Sequence, residues 1–350
     1  MQWGMLYSQD KINPLKIVLF TFFGYLMALL LFSYSSNHDL LVFSRFLMGC
    51  FHSFSLLACL KLISHNTSIK QRTLLISLAV TIALLGGLAA QTPLFYLIEN
   101  FGLSTALTIN LFLGIAIFII IFAFYKFSFA NSYLNIGGNA ESAKVIHSIH
   151  YVLKKKNIWY AAAYVAILSS PLMILGSVWG IEYLVAINHT SATHASYVSS
   201  MIFMGIIIGG HLIGLISYKI TIETLLRFGA IGTFLALLLV ILSAKFPAVL
   251  VGPLFFLLGL ISSCQVLGYT VMSQASNQTL AGISIGVANA LVMFFTALCQ
   301  MIFGILVHAQ LVVNMFYLGD YFSGLLFIGC LFTFIVWSTL KYTKAVTHSS

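Results

Sequence analysis

Charge is what this chain has least of. Lys, Arg, Asp and Glu make up 7% of its 350 residues, against about 25% in an ordinary soluble domain. With 61% of the residues hydrophobic, no water-soluble core could hide the apolar surface, so lipid is the implied solvent for most of the chain. Cysteine is sparse, and Cys50, Cys59, Cys264, Cys299 and Cys330 all sit inside apolar runs. None has the paired spacing of a metal or redox site, so they read as small buried hydrophobes. Enzyme signatures are missing: there is no H-E-x-x-H, no G-x-S-x-G and no glycine loop ending in Lys-Ser. That leaves no nucleophile beside a base and no phosphate cradle, hence no enzyme, no catalytic residue and no cofactor. Metal is not expected either, because His147 with His150 and His189 with His194 lack a further ligand.

The cations outnumber the acids, 16 to 7, but they are scattered singly between apolar runs, which is a topology signal and not a nucleic-acid footprint. Lys154 to Lys156, the one basic cluster, precedes an apolar run and would face anionic lipid headgroups. Met1 to Lys11 is short and mixed, unlike a cleavable leader, so the spans themselves are expected to direct insertion.

Long apolar runs predict an all-α membrane protein with about ten spans. Four come first, at Lys16–Tyr34, Leu41–Ile63, Thr73–Tyr96 and Leu103–Tyr125. Six follow, at Ile158–Val185, Tyr197–Ser217, Leu225–Ala244, Pro247–Met272, Ala281–Val307 and Phe316–Leu340. The organisation is then a four-span half-bundle over 1–125, a linker with a surface helix over 126–157, and a six-helix half-bundle over 158–350. With the N-terminus inside, alternate loops hold Lys61, Lys70, Arg72, Lys126, Lys144, the cluster Lys154 to Lys156, Lys219, Arg227, Lys341 and Lys344, and the opposite loops hold only Lys245. This asymmetry places both termini in the cytoplasm.

Polar residues inside the spans are the candidate site. Arg45, Gly49, His52 and Ser53 lie at offsets of 0, 4, 7 and 8 on one helix face. A mid-helix cation costs about 2.5 to 3.5 kcal/mol in lipid. Arg45 must therefore face protein or water as an anion site with His52 as a proton relay, or else snorkel to the membrane edge. Gly286, Asn289, Met293, Gln300 and Gly304 share a stripe of the ninth span, and Gln265 lies in the eighth. These amides suit either a polar cavity or bonds between helices. Gly86, Gly87, Gly205, Gly209, Gly210 and Gly214 mark close helix packing. Pro93, Pro171 and Pro253 mark bends.

The run Arg45-Phe46-Leu47-Met48-Gly49 resembles the arginine-containing signature on the fourth helix of the major facilitator superfamily. Leu60-Lys61-Leu62 and Leu85-Gly86-Gly87-Leu88-Ala89-Ala90-Gln91-Thr92-Pro93 resemble its nitrate/nitrite-porter-like or sugar-phosphate-porter-like bacterial subgroup. Trp179-Gly180, Gly214-Leu215-Ile216-Ser217 and Gly286 to Asn289 with Gln300 are similar to its second half. The resemblance implies twelve helices in two halves around an alternating cavity. The present spans would match the third through twelfth helices, with the first two lacking and Met1 to Leu6 as the tail of the second. The family's Gly-x-x-x-Asp-Arg loop signature loses its acid at both copies, with Ser8 and Gln9 after Gly4 and with Tyr218 and Lys219 after Gly214. Thr92-Pro93 replaces the Gly-Pro of the antiporters.

The resemblance implies a secondary transporter in the bacterial inner membrane, moving a small polar solute, anionic where Arg45 serves it, with a proton as coupling ion. Arg45, His52, Gln91, Gln265, Asn289 and Gln300 are its substrate or coupling candidates. The rival expectation is a non-transporting remnant, sensor or scaffold, which would work as a homodimer or by otherwise filling the gap left by two helices. Its partners would be the bilayer and a small molecule, not nucleic acid.

Overall fold

Apolar runs of this length leave the backbone one way to satisfy its own polar groups in lipid, which is the helix. The computed structural model describes residues 14–66, 69–130, 150, 153–188, 190–242, 248–274 and 281–312. Outside the described residues lie Met1 to Leu6, His147, His189, most of the linker and the expected span Phe316–Leu340. Helices α1 (Pro14–Tyr34), α2 (His38–Asn66), α3 (Ile69–Phe101) and α4 (Leu103–Ala130) are followed by α5 (Lys156–Pro171) with a π segment at Leu172–Gly176. Then come α6 (Gly180–Asn188), α7 (Ala192–Ile216), α8 (Ile222–Ile241), α9 (Ala248–Ser262), α10 (Gln265–Gln274) and α11 (Ala281–Val312). Seven stretches among the described residues are long and apolar enough to cross a bilayer, and Phe20, Phe112, Ile120 and Phe127 are each at least 66% exposed. Side chains of that kind belong against lipid, and the chain is a multi-pass membrane protein.

Two expected single spans are each built from two pieces. Ile158–Val185 breaks after Pro171 because proline has no N–H for the carbonyl of Ile167, and the Ser170 hydroxyl donates to that carbonyl instead, at 2.7 Å. The chain widens into the π segment, where the Trp179 N–H reaches back five residues to the Ile174 carbonyl at 2.7 Å. Pro247–Met272 divides at Ser263 and Cys264, between α9 and α10. The Ser263 hydroxyl donates back to the Leu260 carbonyl, offering the backbone an alternative to the helical ladder. Between α3 and α4 a single residue turns the chain, and it is Gly102 with φ of +82°, a left-handed conformation open to glycine at little cost.

The chain forms two compact units. The first comprises the described residues of Met1–Ile82 and Tyr96–His147. In it α1 packs on α2, with the Phe51 ring against Gly24. Leu26, Leu29 and Leu111 form its buried cluster, and Phe22 stacks on Phe118 at 6.4 Å. The second comprises those of Ala83–Phe95 and Ser148–Ser350, so the middle of α3 belongs with α5 to α11. Here α7 and α9 meet backbone to backbone: a Cβ on Gly259 would stand 2.9 Å from the Ile202 Cα, and one on Gly205 2.7 Å from the Leu260 nitrogen. Glycine at these positions lets the helices approach closely enough for dispersion to hold them in lipid.

Candidate functional site

A buried polar side chain in a span must find a partner, and in lipid the partner is another helix. In the second unit three such bonds close a triangle. Ser169 of α5 is hydrogen-bonded to the Gln265 side chain of α10. The Tyr269 hydroxyl of α10 donates to Asn289 Oδ1 of α11 at 3.2 Å. The Gln300 amide of α11 donates to the Met173 carbonyl in the π segment at 2.8 Å. Each pair among α5, α10 and α11 is thus tied by a polar contact, and the amides read from the sequence as cavity candidates serve as links between helices.

The triangle's third vertex depends on the break after Pro171, because carbonyls of a π segment are displaced from the α-helical ladder. Side chains take them up. The Ser177 hydroxyl donates to the Leu172 carbonyl at 3.2 Å, and the Ser199 hydroxyl of α7 to that of Leu175 at 2.8 Å. Trp179, just beyond the break, packs its ring 5.8 Å from that of Phe303, which holds the end of the π segment against α11. On α11 itself Thr296 lies between Asn289 and Gln300 on the same stripe, is 4% exposed, and has a hydroxyl without a hydrogen-bond partner among the described residues.

The stretch of α3 in this unit makes its own contact. The Thr92 and Ser200 hydroxyls are 3.1 Å apart, the Phe203 ring covers Gly87 and reaches Gly176 at 3.3 Å from a Cβ placed there, and Gln91 beside them is half-buried. Substituting Thr92 by valine removes one neutral hydrogen bond and is expected to cost about 1 kcal/mol in thermal unfolding. A cost near zero would show the hydroxyl pair contributes nothing. Outside their own helix, no atom of the described residues lies within 4 Å of a Cβ position at Gly49, Gly86, Gly210 or Gly214, whereas at Gly209 the backbone of Leu260 does.

In the first unit Arg45 is exposed on α2, its guanidinium 4.2 Å from the centre of the Phe32 ring of α1, the geometry of a cation–π contact. His52, two turns on, is exposed as well. Among the described residues no three His, Cys, Asp or Glu side chains gather as a metal would require. Sequence reasoning passed over Ser169, Tyr269, Ser199, Phe203, Gly259 and Thr296. For Thr296 a signal existed, since it stands four residues before Gln300 and seven after Asn289, on the stripe already identified. For Ser169 it was the adjacent Ser170-Pro171 inside an apolar run.

The family model described as Major Facilitator Superfamily matches residues 1–299. No curated protein matches the chain by sequence. Among solved structures, a D-xylose-proton symporter superposes with a TM-score of 0.74 at 11% identity, over 96% of this chain and 83% of that one. A bacterial homologue of the human lysosomal transporter Spinster, in an inward-facing and unoccupied conformation, gives 0.64 at 11% identity, over 97% and 88%.

Proposed function

We propose, from the premise that this chain belongs to the Major Facilitator Superfamily, that it is a secondary transporter carrying a small polar solute across the bacterial inner membrane by alternating access. The family is one of transporters and not of enzymes. The observation that carries the reading is the match over 1–299. The neutral polar triangle within the second unit supports it, because polar side chains at membrane depth are expensive and are kept where solutes or ions pass. The distribution of Lys and Arg between alternate loops supports cytoplasmic termini. Gly86-Gly87 through Thr92-Pro93 and Arg45-Phe46-Leu47-Met48-Gly49 support the nitrate/nitrite-porter-like or sugar-phosphate-porter-like subgroup.

In this reading Arg45 is the contact for an anionic group or for the coupling step, His52 on the same face relays a proton, and Gln91, Gln265, Asn289 and Gln300 contribute the polar wall. Uptake into proteoliposomes, with and without an imposed proton gradient, tests it. Arg45→Lys keeps the charge but loses the planar fork that suits carboxylate or phosphate. It is expected to lower anion uptake about tenfold, the loss of roughly 1.4 kcal/mol of a charge-assisted bond. Unchanged anion uptake by that variant sinks the role of Arg45, and absence of any gradient-driven uptake sinks the transporter reading.

A further inference from the structure

Helix α5 opens to its surroundings only near its start. Trp159 and Tyr160 are each 41% exposed, and from Ala161 to Pro171 no residue is exposed. Just before them the chain makes a turn that carries Lys154, exposed, and Lys155, half-buried. The turn is fastened from both sides. The Lys154 N–H donates to the His150 carbonyl at 3.2 Å, and the Trp159 indole N–H donates to the Leu153 carbonyl at 2.8 Å. An indole at a membrane interface ordinarily turns its N–H toward headgroups or water. Here the N–H is committed to the backbone, so the ring clamps the lysine turn onto the first turn of α5. Its other edge is fixed as well, edge-on to Phe295 of α11 with centroids 6.4 Å apart.

Charge around this turn is of one sign. No Asp or Glu occurs between Glu141 and Glu182. Of the helices packed on α5, α9, α10 and α11 contain none either, and α8 contains only Glu223, which is ion-paired with Arg227 of its own helix. The positive field of the lysines is therefore not balanced by an acid of the surrounding helices, and an anion from outside the chain gains by approaching.

The surface beside the lysines decides which anion fits. Trp159 and Tyr160 offer exposed rings in the first turn of an apolar span, and Phe294 of α11, 59% exposed, extends that surface next to Phe295 at 5.9 Å between centroids. A nucleic acid or an acidic peptide would satisfy the lysines and leave the rings in water. A phospholipid satisfies both, because cation, amphipathic ring and apolar span follow one another as phosphate, ester and acyl chain do in a leaflet. We infer that Lys154 and Lys155, held in place by Trp159, form a binding site for the phosphate of an anionic phospholipid whose acyl chains lie along Trp159, Tyr160 and Phe294. The site goes beyond the transport reading and uses none of the residues assigned to the solute. Fixing the turn in advance lowers the ordering cost of binding, which separates a site from a merely basic surface.

The test is retention of phospholipid by the detergent-purified full chain, read by native mass spectrometry. The probes are phosphatidylglycerol, phosphatidylcholine of the same acyl chains, and glycerol phosphate as the headgroup alone. Phosphatidylglycerol is expected to be retained saturably and in preference to phosphatidylcholine. Lys154→Gln combined with Lys155→Gln is expected to weaken that retention at least about tenfold. The same pair changed to arginine keeps it, since a guanidinium also binds phosphate. Trp159→Phe keeps a ring but loses the clamp and is expected to weaken retention about fivefold, the worth of one neutral hydrogen bond. Lys126→Gln combined with Lys219→Gln removes as much charge elsewhere and is expected to leave retention unchanged. Equal retention of the two lipids, equal losses in the two glutamine pairs, or full retention by Trp159→Phe overturns the site. Glycerol phosphate binding as tightly as the lipid, with the same dependence on Lys154 and Lys155, overturns it in favour of a soluble anion.

Discussion

Gly259→Leu will prise α7 from α9 and lower the stability of the second unit by about 3 kcal/mol or more, the upper range for overpacking. The neighbour at this position is the backbone of Ile202, whose Cα would lie 2.9 Å from a Cβ on residue 259. A side chain could rotate away, but a helix backbone can only translate. Translation would undo the matching approach at Gly205, against Leu260 and Phe256, and at Gly209, against Leu260. In lipid no hydrophobic force drives the helices back together, so lost close packing is not replaced. Gly214→Leu provides the comparison, since that position of α7 meets nothing within 4 Å among the described residues outside its own helix and is expected to change stability by no more than about 0.5 kcal/mol. Thermal unfolding of the two purified variants should therefore separate clearly. Equal midpoints would mean that the α7–α9 interface tolerates side chains and that the glycines are incidental.

Gln300→Leu carries the second large effect, on both stability and transport. The Met173 carbonyl sits in the π segment and receives the Gln300 amide at 2.8 Å. Leucine fills nearly the same volume without donating, which leaves the carbonyl unsatisfied in an apolar setting at about 1 to 3 kcal/mol. The broken end of α5 is also anchored by Ser199 and Ser177, so the fold is expected to survive with a lowered midpoint. Uptake should fall at least about tenfold, a change of roughly 1.4 kcal/mol in the transport barrier, because the variant unties α11 from the π segment. Gln265→Leu is expected to be milder, since Ser169 would keep the Val165 carbonyl, 2.6 Å away, and no acceptor on α5 would be orphaned. If both variants lose stability equally, the special position of the Met173 carbonyl is not what Gln300 serves.

Side chains could be assigned to faces from the chain alone, but their partners could not. The stripe of Asn289 and Gln300 on α11 was readable because helical periodicity is local. That the Gln300 amide nitrogen reaches the Met173 carbonyl depended on the displacement of carbonyls after Pro171. A proline in an apolar run announces a bend but not its form: here the chain widened into a π turn, and Ser170 took the freed Ile167 carbonyl. The glycines divide the same way. Gly205, Gly209, Gly210 and Gly214 all stand on α7, yet the first two meet α9 and the last two meet nothing within 4 Å among the described residues outside their own helix. Four-residue spacing creates a groove on one helix and is silent about which helix lies in it.

What the amino-acid sequence determined by itself is the solvent and the class of element. A chain 61% hydrophobic and 7% charged has its backbone bonds closed within helices, because lipid offers no alternative partner. Length, spacing and the placement of single lysines follow from that local necessity. The tertiary structure alone decided which polar groups meet: Ser169 with Gln265, Tyr269 with Asn289, Gln300 with the Met173 carbonyl, and Thr296 with none among the described residues. Those pairings join residues up to 127 positions apart. They are set by how whole helices pack and by the form that the break after Pro171 takes, which no local pattern encodes.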